Sequence, residues 1–433
     1  MTDINTTARN ADLPTMLKIL EDQRARRYDI VVPSGKISAR DGMIIVEGSE
    51  PAIDASGVTT VDGSYRPTVV GDEGFGAKLG VGSAFLKDMR ARRVDIYDEV
   101  INRLLHGGAS GCAPAPDYEY PAYDGNLLLR LLRGDPGEAG VLRAVVSPKF
   151  KIIDNLDVAM AILDGAREAG IEVTPETCDL TDRRMYMRLR APGVAQYAPK
   201  LLDGYRSPFD TKNGPARAGQ DRPGYRWNAN VGGGWTVPQA LAAAAGEGQG
   251  YEPGKEPVVF AGLVVSNSDV GDGSRWIWPE IEVGICKNGL TLKAQGERKV
   301  HLGKAHAEGE INWSTETLEK ELELIAAQTK DAVKAFLSGD FLAKEVNKIE
   351  ALAGVPLLSD TADEKITEVL TSSKYTQADI AGVLEHFKLG GKLDVGGLGN
   401  AVTSYSQTLP DADAAARLNA TAVPVMQLAA RRA

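Results

Sequence analysis

The strongest candidate for binding chemistry is a short predicted strand, residues 184–190, in which cationic and apolar side chains alternate (RMYMRLR). Because strand side chains point alternately to opposite faces, the three apolar residues share one face. The other face carries Arg184, Tyr186, Arg188 and Arg190. Guanidinium groups around an aromatic ring suit a phosphate backbone and a stacked base. The alternative is a face neutralised by nearby acids.

The segment that follows, residues 191–256, has poor periodicity and is rich in Gly, Pro, Asn and Gln. Loops of this length inside a compact domain are usually functional or disordered. Basic and aromatic residues interleave in it, a pattern typical of proteins that bind single-stranded nucleic acid. The candidates are Arg206, Lys212, Arg217, Arg222, Arg226 and Trp227. The alternative is a flexible insertion whose Tyr and Trp side chains pin it to the body of the protein.

No catalytic signature is present, so we expect a binding protein rather than an enzyme. Zinc-ligand spacing is absent, and the three cysteines (Cys112, Cys178 and Cys286) are too far apart for a CxxC motif. A nucleophilic Cys286 with His301 as its base is disfavoured, because thiols at the end of an apolar strand are usually inert. The glycines at 71, 74, 76, 80 and 82 match no phosphate-loop motif.

Four carboxylates offer a possible divalent-cation site, although no cofactor is indicated otherwise. Asp269 and Asp272 stand in a turn, and Glu280 and Glu282 project from one face of the next strand. Magnesium and calcium prefer such oxygen ligands. The alternative is that the two aspartates are solvated turn residues.

These residues lie in or near a region, residues 257–303, that reads as an antiparallel sheet. An apolar run at 258–265 predicts a buried strand, and seven turn formers follow within residues 266–273. Strands are predicted at 276–278, 280–286, 290–294 and 298–302, with Asn288-Gly289 as a type I′ hairpin turn. Apolar residues at helical spacing after Ser314 predict a long amphipathic helix to about residue 353, broken at 338–340.

Several motifs occur in the order seen in one known family: LRAVVSPKFKIIDNLDV, LTDRRMYMRL, SNSDVGDGS, ICKNG, HLG and NAVTSYSQTLPDADAAARL. The chain resembles the phage/plasmid-like protein family built on the domain of unknown function numbered nine hundred and thirty-two. The resemblance implies a phage or plasmid origin. Its motif residues here are Asn267, Ser268, Asp269, Gly271, Cys286, Asn288, Gly289, His301 and Gly303. The strand-strand-strand-helix order also resembles the core of single-strand annealing recombinases, a fold-level analogy.

The predicted fold class is α+β, with a β-β-β-α core backed by a long amphipathic helix. We expect an N-terminal α/β segment at 1–105, a Gly/Pro/Tyr-rich linker at 106–126, a central α+β core at 127–353 and a helical C-terminal subdomain at 354–433. The composition, 43% hydrophobic and 25% charged, is that of an ordinary globular protein.

Charge is distributed unevenly along the chain. The net charge is −10, yet residues 181–227 contain ten basic and four acidic residues, whereas residues 307–370 contain six and fourteen. Such asymmetry can focus an anionic ligand onto one surface. With neither a spanning apolar segment nor a signal peptide, we expect the cytoplasm of a host bacterium.

Together these patterns predict a phage- or plasmid-encoded DNA-metabolism protein that binds single-stranded nucleic acid as an annealing-type homo-oligomer. Two alternatives remain open. One is an enzyme or nucleotide- or metal-binding protein with a site around Asn267 to Asp272 and His301. The other is a protein that interacts with a host protein.

Overall fold

The computed structural model describes residues 4–49, 52–54, 57–59, 61–107, 122–150, 152–210, 215–219, 257–273, 275–284, 288–292, 315–357 and 362–433. Over these residues the chain is α+β, as predicted: two six-stranded sheets, one two-stranded ribbon and a set of α-helices. Among the described helices, none is long and apolar enough to cross a membrane.

The strands are β1 (Ala8–Ala11), β2 (Arg27–Pro33), β3 (Ile37–Arg40), β4 (Met43–Val46), β5 (Ala52–Asp54), β6 (Gly57–Thr59), β7 (Gly63–Pro67), β8 (Asn126–Leu132), β9 (Gly140–Val146), β10 (Thr174–Leu180), β11 (Met185–Tyr197), β12 (Val258–Asn267), β13 (Trp276–Val283) and β14 (Asn288–Thr291). The helices are α1 (Leu13–Arg26), α2 (Val69–Leu79), α3 (Ser83–Arg92), α4 (Val94–His106), α5 (Asn155–Glu168), α6 (Pro199–Leu202), α7 (Thr315–Phe336), α8 (Gly339–Ala353), α9 (Ala362–Ser372), α10 (Gln377–Gly390), α11 (Val395–Ser406), α12 (Ala412–Asn419) and α13 (Ala422–Arg432).

The central sheet has the antiparallel order β1-β10-β11-β12-β13-β14. One of its faces is apolar because Met185, Met187 and Leu189 alternate with charged residues along β11, and these three side chains enter the main hydrophobic core. Helices α5, α7 and α8 contribute Val158, Ile325 and Val346 to the same core. A sheet backed by long helices is therefore observed, as predicted.

Local sequence explains how these helices begin and meet. The predicted break near residue 338 is confirmed: Ser338 caps α8, and its hydroxyl accepts the backbone N–H of Phe341 at 3.3 Å. Gly165 of α5 lies so close to the backbone of Ala326 that a methyl group there would collide with α7. The two helices therefore pack with their backbones in near contact.

The N-terminal sheet has the order β2-β8-β9-β7-β4-β3, in which only β7 and β9 run parallel among the described pairings. The predicted boundaries at 105 and 127 therefore divide a single sheet, since β8 and β9 complete it. Sheet partners are set by long-range pairing, which composition does not reveal. Within the predicted linker, residues 108–121 lie outside the described residues.

The glycine-rich passage after β7 is a helix rather than a phosphate loop. Gly71 and Gly74 of α2 lie against the carbonyl oxygens of Leu142 and Val145, where any side chain would collide with β9. These glycines let the helix approach the strand closely.

The C-terminal region is helical, as predicted, and consists of α9 to α13 in its described residues. Its helix α11 is buried along nearly its whole length. The region packs against β14, and α12 reaches over the second face of the central sheet, where Ala412 joins a small cluster with Tyr186 and Val264.

Candidate functional site

The second face of the central sheet, here called the charged face, carries Tyr186, Arg188, Arg190, Glu280 and Glu282. The strand alternation expected for β11 is confirmed, but the face differs from the open nucleic-acid surface that the sequence suggested. Tyr186 is buried and donates its hydroxyl to Asp413 of α12 at 2.6 Å. Arg188 and Arg190 are paired with acids on neighbouring strands. The structure therefore matches the alternative of a face neutralised by nearby acids.

Arg188 is fixed by the fully buried carboxylate of Asp179 on β10. Its Nη1 lies 2.6 Å from Asp179 Oδ2, and Arg9 Nη1 binds Asp179 Oδ1 at the same distance. Burial alone would raise the pKa of Asp179, but the charges of Arg188 and Arg9 outweigh it and hold the pKa below its ordinary value. Asp179 is therefore an anion at neutral pH that two guanidinium groups neutralise.

Arg190 is shared between two acids. Its Nη2 lies 2.5 Å from Glu176 Oε1 on β10, and its Nη1 lies 3.2 Å from Glu282 Oε1 on β13. The guanidinium also stands 5.2 Å from the ring centre of Phe260 on the strand between them. Such a position suits a structural crosslink between strands better than a contact to phosphate.

Glu280 is the least neutralised buried acid on this face. Only 5% of the residue is exposed, and its nearest cationic atom is Arg188 Nε at 3.8 Å. Thr291 Oγ1 donates to its carboxylate at 3.3 Å. Burial raises the pKa of Glu280 and the charge of Asp179 adds to the rise, while Arg188 and Thr291 oppose it.

Two glycines make room for the Glu280 side chain. Gly262 of β12 lies directly beside Glu280 in the strand register, and the next strand in that row presents Arg190. On the other side, a methyl group on Gly289 would collide with the Glu280 carboxylate. Asn288 and Gly289 were predicted to form the hairpin turn, but they begin β14 and pair with Val283 and Glu282. Gly289 therefore provides space rather than turn geometry.

A cavity of about 90 Å³ opens above Glu280 between the charged face and the C-terminal helices; we call it the charged cavity. Its charged lining consists of Arg9, Asp12, Glu176, Arg188, Arg217, Glu280 and Glu282. Gln407 and Asn419 close it from the C-terminal side. Arg217 donates from Nε to Gln407 Oε1 and stacks 4.0 Å from the ring centre of Phe209. The combination of buried charge, a perturbed carboxyl and a cavity is typical of ligand sites.

The turn after β12, which carries the family motif, has a different role. Arg143 of β9 binds both carboxylate oxygens of Asp269 at 2.8 Å, and Arg130 of β8 lies 3.3 Å from the same carboxylate. Asn267 donates its amide to Asn155 Oδ1 at 2.8 Å. The two arginine contacts join the central sheet to the N-terminal sheet, so we call Arg130, Arg143 and Asp269 the joint.

The rest of that turn is also occupied by protein contacts. Ser268 Oγ accepts the backbone N–H of Asp272 at 3.0 Å, and the Asp272 carboxylate lies 3.2 Å from Arg183 Nη1. Gly271 has a φ of +85° and lies against Phe150. Arg184 binds the backbone carbonyl of Asp272. The described part of the predicted Asn267 to Asp272 site is thus a structural junction.

The proposed divalent-cation cluster does not assemble. Asp269 lies beyond the end of β12 at Asn267, whereas Glu280 pairs with Gly262, which lies five residues before that end and roughly 16 Å from it along the strand. Over the described ranges, no three His, Cys, Asp or Glu side chains stand close enough together to bind a metal ion.

Arg206 is exposed on the surface. The other sequence candidates, Lys212, Arg222, Arg226, Trp227, Cys286, His301 and Gly303, lie outside the described residues.

Sequence reasoning missed Arg9, Glu176, Asp179 and Gln407 as partners of this site. The one available signal was local: Glu280 and Glu282 share a strand face, and glycines occur in both neighbouring strands. The chain matches no family model, no curated protein and no solved structure. The motif resemblance to the phage/plasmid-like family therefore remains a prediction.

Proposed function

We propose that this protein binds a small polar ligand in the charged cavity through the Glu280 carboxyl, which can release a proton as the ligand binds. The observation that carries the proposal is the buried Glu280 carboxyl, which faces the cavity with its nearest guanidinium nitrogen 3.8 Å away. Burial raises the pKa of this carboxyl, and a raised pKa suits a carboxyl to donate or accept a proton. Salt-bridged Asp179, by contrast, is suited only to hold Arg9 and Arg188 in place.

The cavity size limits the ligand. A cavity of about 150 Å³ holds benzene, which has six heavy atoms. On that scale the charged cavity, at about 90 Å³, takes a group of three or four heavy atoms. We therefore expect either a very small molecule or the head group of a larger one.

The test is thermal unfolding with millimolar guanidinium, urea and acetate, three planar probes of four heavy atoms that differ in charge. At least one should raise the unfolding temperature of the wild type. The shift should disappear in Glu280→Gln, which keeps the shape of the side chain, and in Gly289→Ala, which fills the space beside it. Asp272→Asn, which is remote from the cavity, should retain the shift. The proposal fails if no probe stabilises the wild type, or if both cavity variants respond as it does.

A second candidate function, binding of single-stranded nucleic acid, draws support from one further observation on the charged face. Trp276 and Trp278 stack with ring centres 3.9 Å apart and are only half-buried, and Tyr186 lies 5.9 Å from Trp276. Stacked aromatic rings offer a platform for bases.

Fluorescence anisotropy with labelled single-stranded and double-stranded oligonucleotides at two salt concentrations tests this candidate. Preference for single strands, salt dependence and loss of affinity in Trp278→Ala are expected. Phe85→Ala is the matched control, because Phe85 is an exposed aromatic on α3. Arg188→Ala is unsuitable for this test because it leaves Asp179 short of a buried partner. Equal binding by Trp278→Ala and the wild type would argue against the platform.

A further inference from the structure

The four described carboxylates at the charged face, those of Asp179, Glu176, Glu280 and Glu282, differ in how closely a described guanidinium group approaches them.

Among these four, Glu280 has the most distant described cationic partner. Arg9 and Arg188 both lie within 2.6 Å of Asp179, and Arg190 lies between Glu176 and Glu282. Glu280 is left with a cationic atom at 3.8 Å and a hydroxyl donor at 3.3 Å. A buried carboxylate is costly without a close cationic partner, and it lowers that cost by taking a proton or by binding a cation.

The geometry around Glu280 favours an external cation over a protein side chain. Gly262 and Gly289 flank it on both neighbouring strands and contribute no side chain that could fill the gap. The cavity opens above the carboxylate and is large enough for a planar group of about four heavy atoms. A planar donor can bind both oxygens of a carboxylate at once, which gives a strong charge-assisted contact.

We infer that the charged cavity selects a monocationic head group of the amidinium or guanidinium type, which pairs with the Glu280 carboxylate. This inference rests on the proposed function and specifies its ligand class. When such a cation binds to the protonated form of Glu280, the O–H bond breaks, the proton passes to solvent, and an ion pair forms between the carboxylate and the cation. No covalent bond to the ligand is made.

The experiment is isothermal titration of the full chain with guanidinium, urea and acetate at equal ionic strength, in two buffers of different ionisation enthalpy. We expect guanidinium to bind at least ten-fold more tightly than either isostere and to release protons below neutral pH. Glu280→Gln should lose most of this affinity and all of the proton release. Asp272→Asn should behave as the wild type does.

The outcomes separate the inference from the proposed function. If urea or acetate binds as tightly as guanidinium and the binding depends on Glu280, the cavity is a ligand site but its preference for a cation is wrong. If guanidinium binds equally well to Glu280→Gln, its binding is adventitious and the inference is overturned. If no probe binds the wild type, both proposals fail.

Discussion

Two buried clusters of arginines and carboxylates in this protein have different roles. At the joint, Asp269 receives two hydrogen bonds from Arg143 and a third cationic contact from Arg130, and burial is outweighed so that its pKa falls below the ordinary value. At the charged cavity, Glu280 has one distant arginine, and burial raises its pKa. The number and distance of the cationic partners, rather than burial, account for the opposite pKa shifts of Asp269 and Glu280.

The two clusters also differ in the empty volume that lies beside them. A void of about 20 Å³ borders Arg143 and Asp269 of the joint, whereas the charged cavity has about 90 Å³. A satisfied and close-packed charge cluster fixes two sheets together. A cluster whose carboxylate lacks a close cationic partner and faces open space can bind a ligand. Functional sites of this kind often lower the stability of a protein.

The largest effect should come from breaking the joint. Asp269→Asn leaves the buried guanidinium of Arg143 with a neutral partner, while Arg130 keeps Asp29 and Asp154. We expect a loss of about 3–5 kcal/mol in the free energy of unfolding, measured by urea titration. Asp272→Asn is the control, because its side chain is partly exposed and its partner Arg183 keeps Glu73. It should cost less than about 1 kcal/mol. Similar losses of unfolding free energy in Asp269→Asn and Asp272→Asn would contradict a special structural role for the joint.

A smaller loss should follow from filling the space beside Glu280. Gly289→Ala forces the Glu280 carboxylate to move, and we expect a cost of about 1–3 kcal/mol by the same measurement. Gly193→Ala on β11 meets no neighbouring atom and serves as the control. In a Glu280→Ala background the cost of Gly289→Ala should largely vanish. An additive double variant would show that the two positions do not interact.

The change in the free energy of unfolding should have the opposite sign, a gain in stability, when Glu280 itself is neutralised. Because its folded pKa is raised, the folded state loses stability as the pH rises from the ordinary glutamate value through the raised one. Glu280→Gln removes that loss, so we expect a gain of roughly 0.5–1 kcal/mol at neutral pH that disappears in acid.

Asp179→Asn should behave oppositely. Its lowered pKa contributes stability at neutral pH that is lost in acid, so its removal destabilises the protein most at neutral pH. Urea unfolding curves of Glu280→Gln and Asp179→Asn, measured from acid to neutral pH, test these two predictions. Destabilisation by Glu280→Gln at neutral pH would mean that Glu280 is a structural acid like Asp179.

The smallest effect should be that of Arg206→Ala. Arg206 is exposed, and the change should alter the free energy of unfolding by less than about 0.5 kcal/mol. Since it leaves the fold intact, this variant also sharpens the nucleic-acid test: a weaker salt-dependent affinity in the anisotropy assay would place exposed basic residues, rather than the charged face, in the binding surface.

Local periodicity accounts for what could be predicted. The alternation along β11, the long helices with a break near Ser338 and the helical C-terminal region follow from spacing within short windows. The local preference of Asn288-Gly289 for a hairpin turn was misleading, because the space required by Glu280 accounts for the glycine. Tertiary context overruled the propensity.

The site could not be predicted because its charges come from distant parts of the chain. The sequence left open whether Arg188 faces a nucleic acid or is neutralised by acids, and Asp179 on β10 and Glu280 on β13 neutralise it once the strands pair. Whether an arginine faces phosphate or a neighbouring acid depends on sheet order and register. Neither is encoded in a short window of sequence.

The N-terminal strand has a consequence for how this protein is made. Arg9 donates from Nε to the backbone carbonyl of Leu409, 400 residues later, and from Nη2 to that of Ser406. During synthesis Arg9 leaves the ribosome long before Ser406 and Leu409 exist. The cavity is complete only after Gln407 and Asn419 have emerged, so a nascent chain that ends before them has no charged cavity.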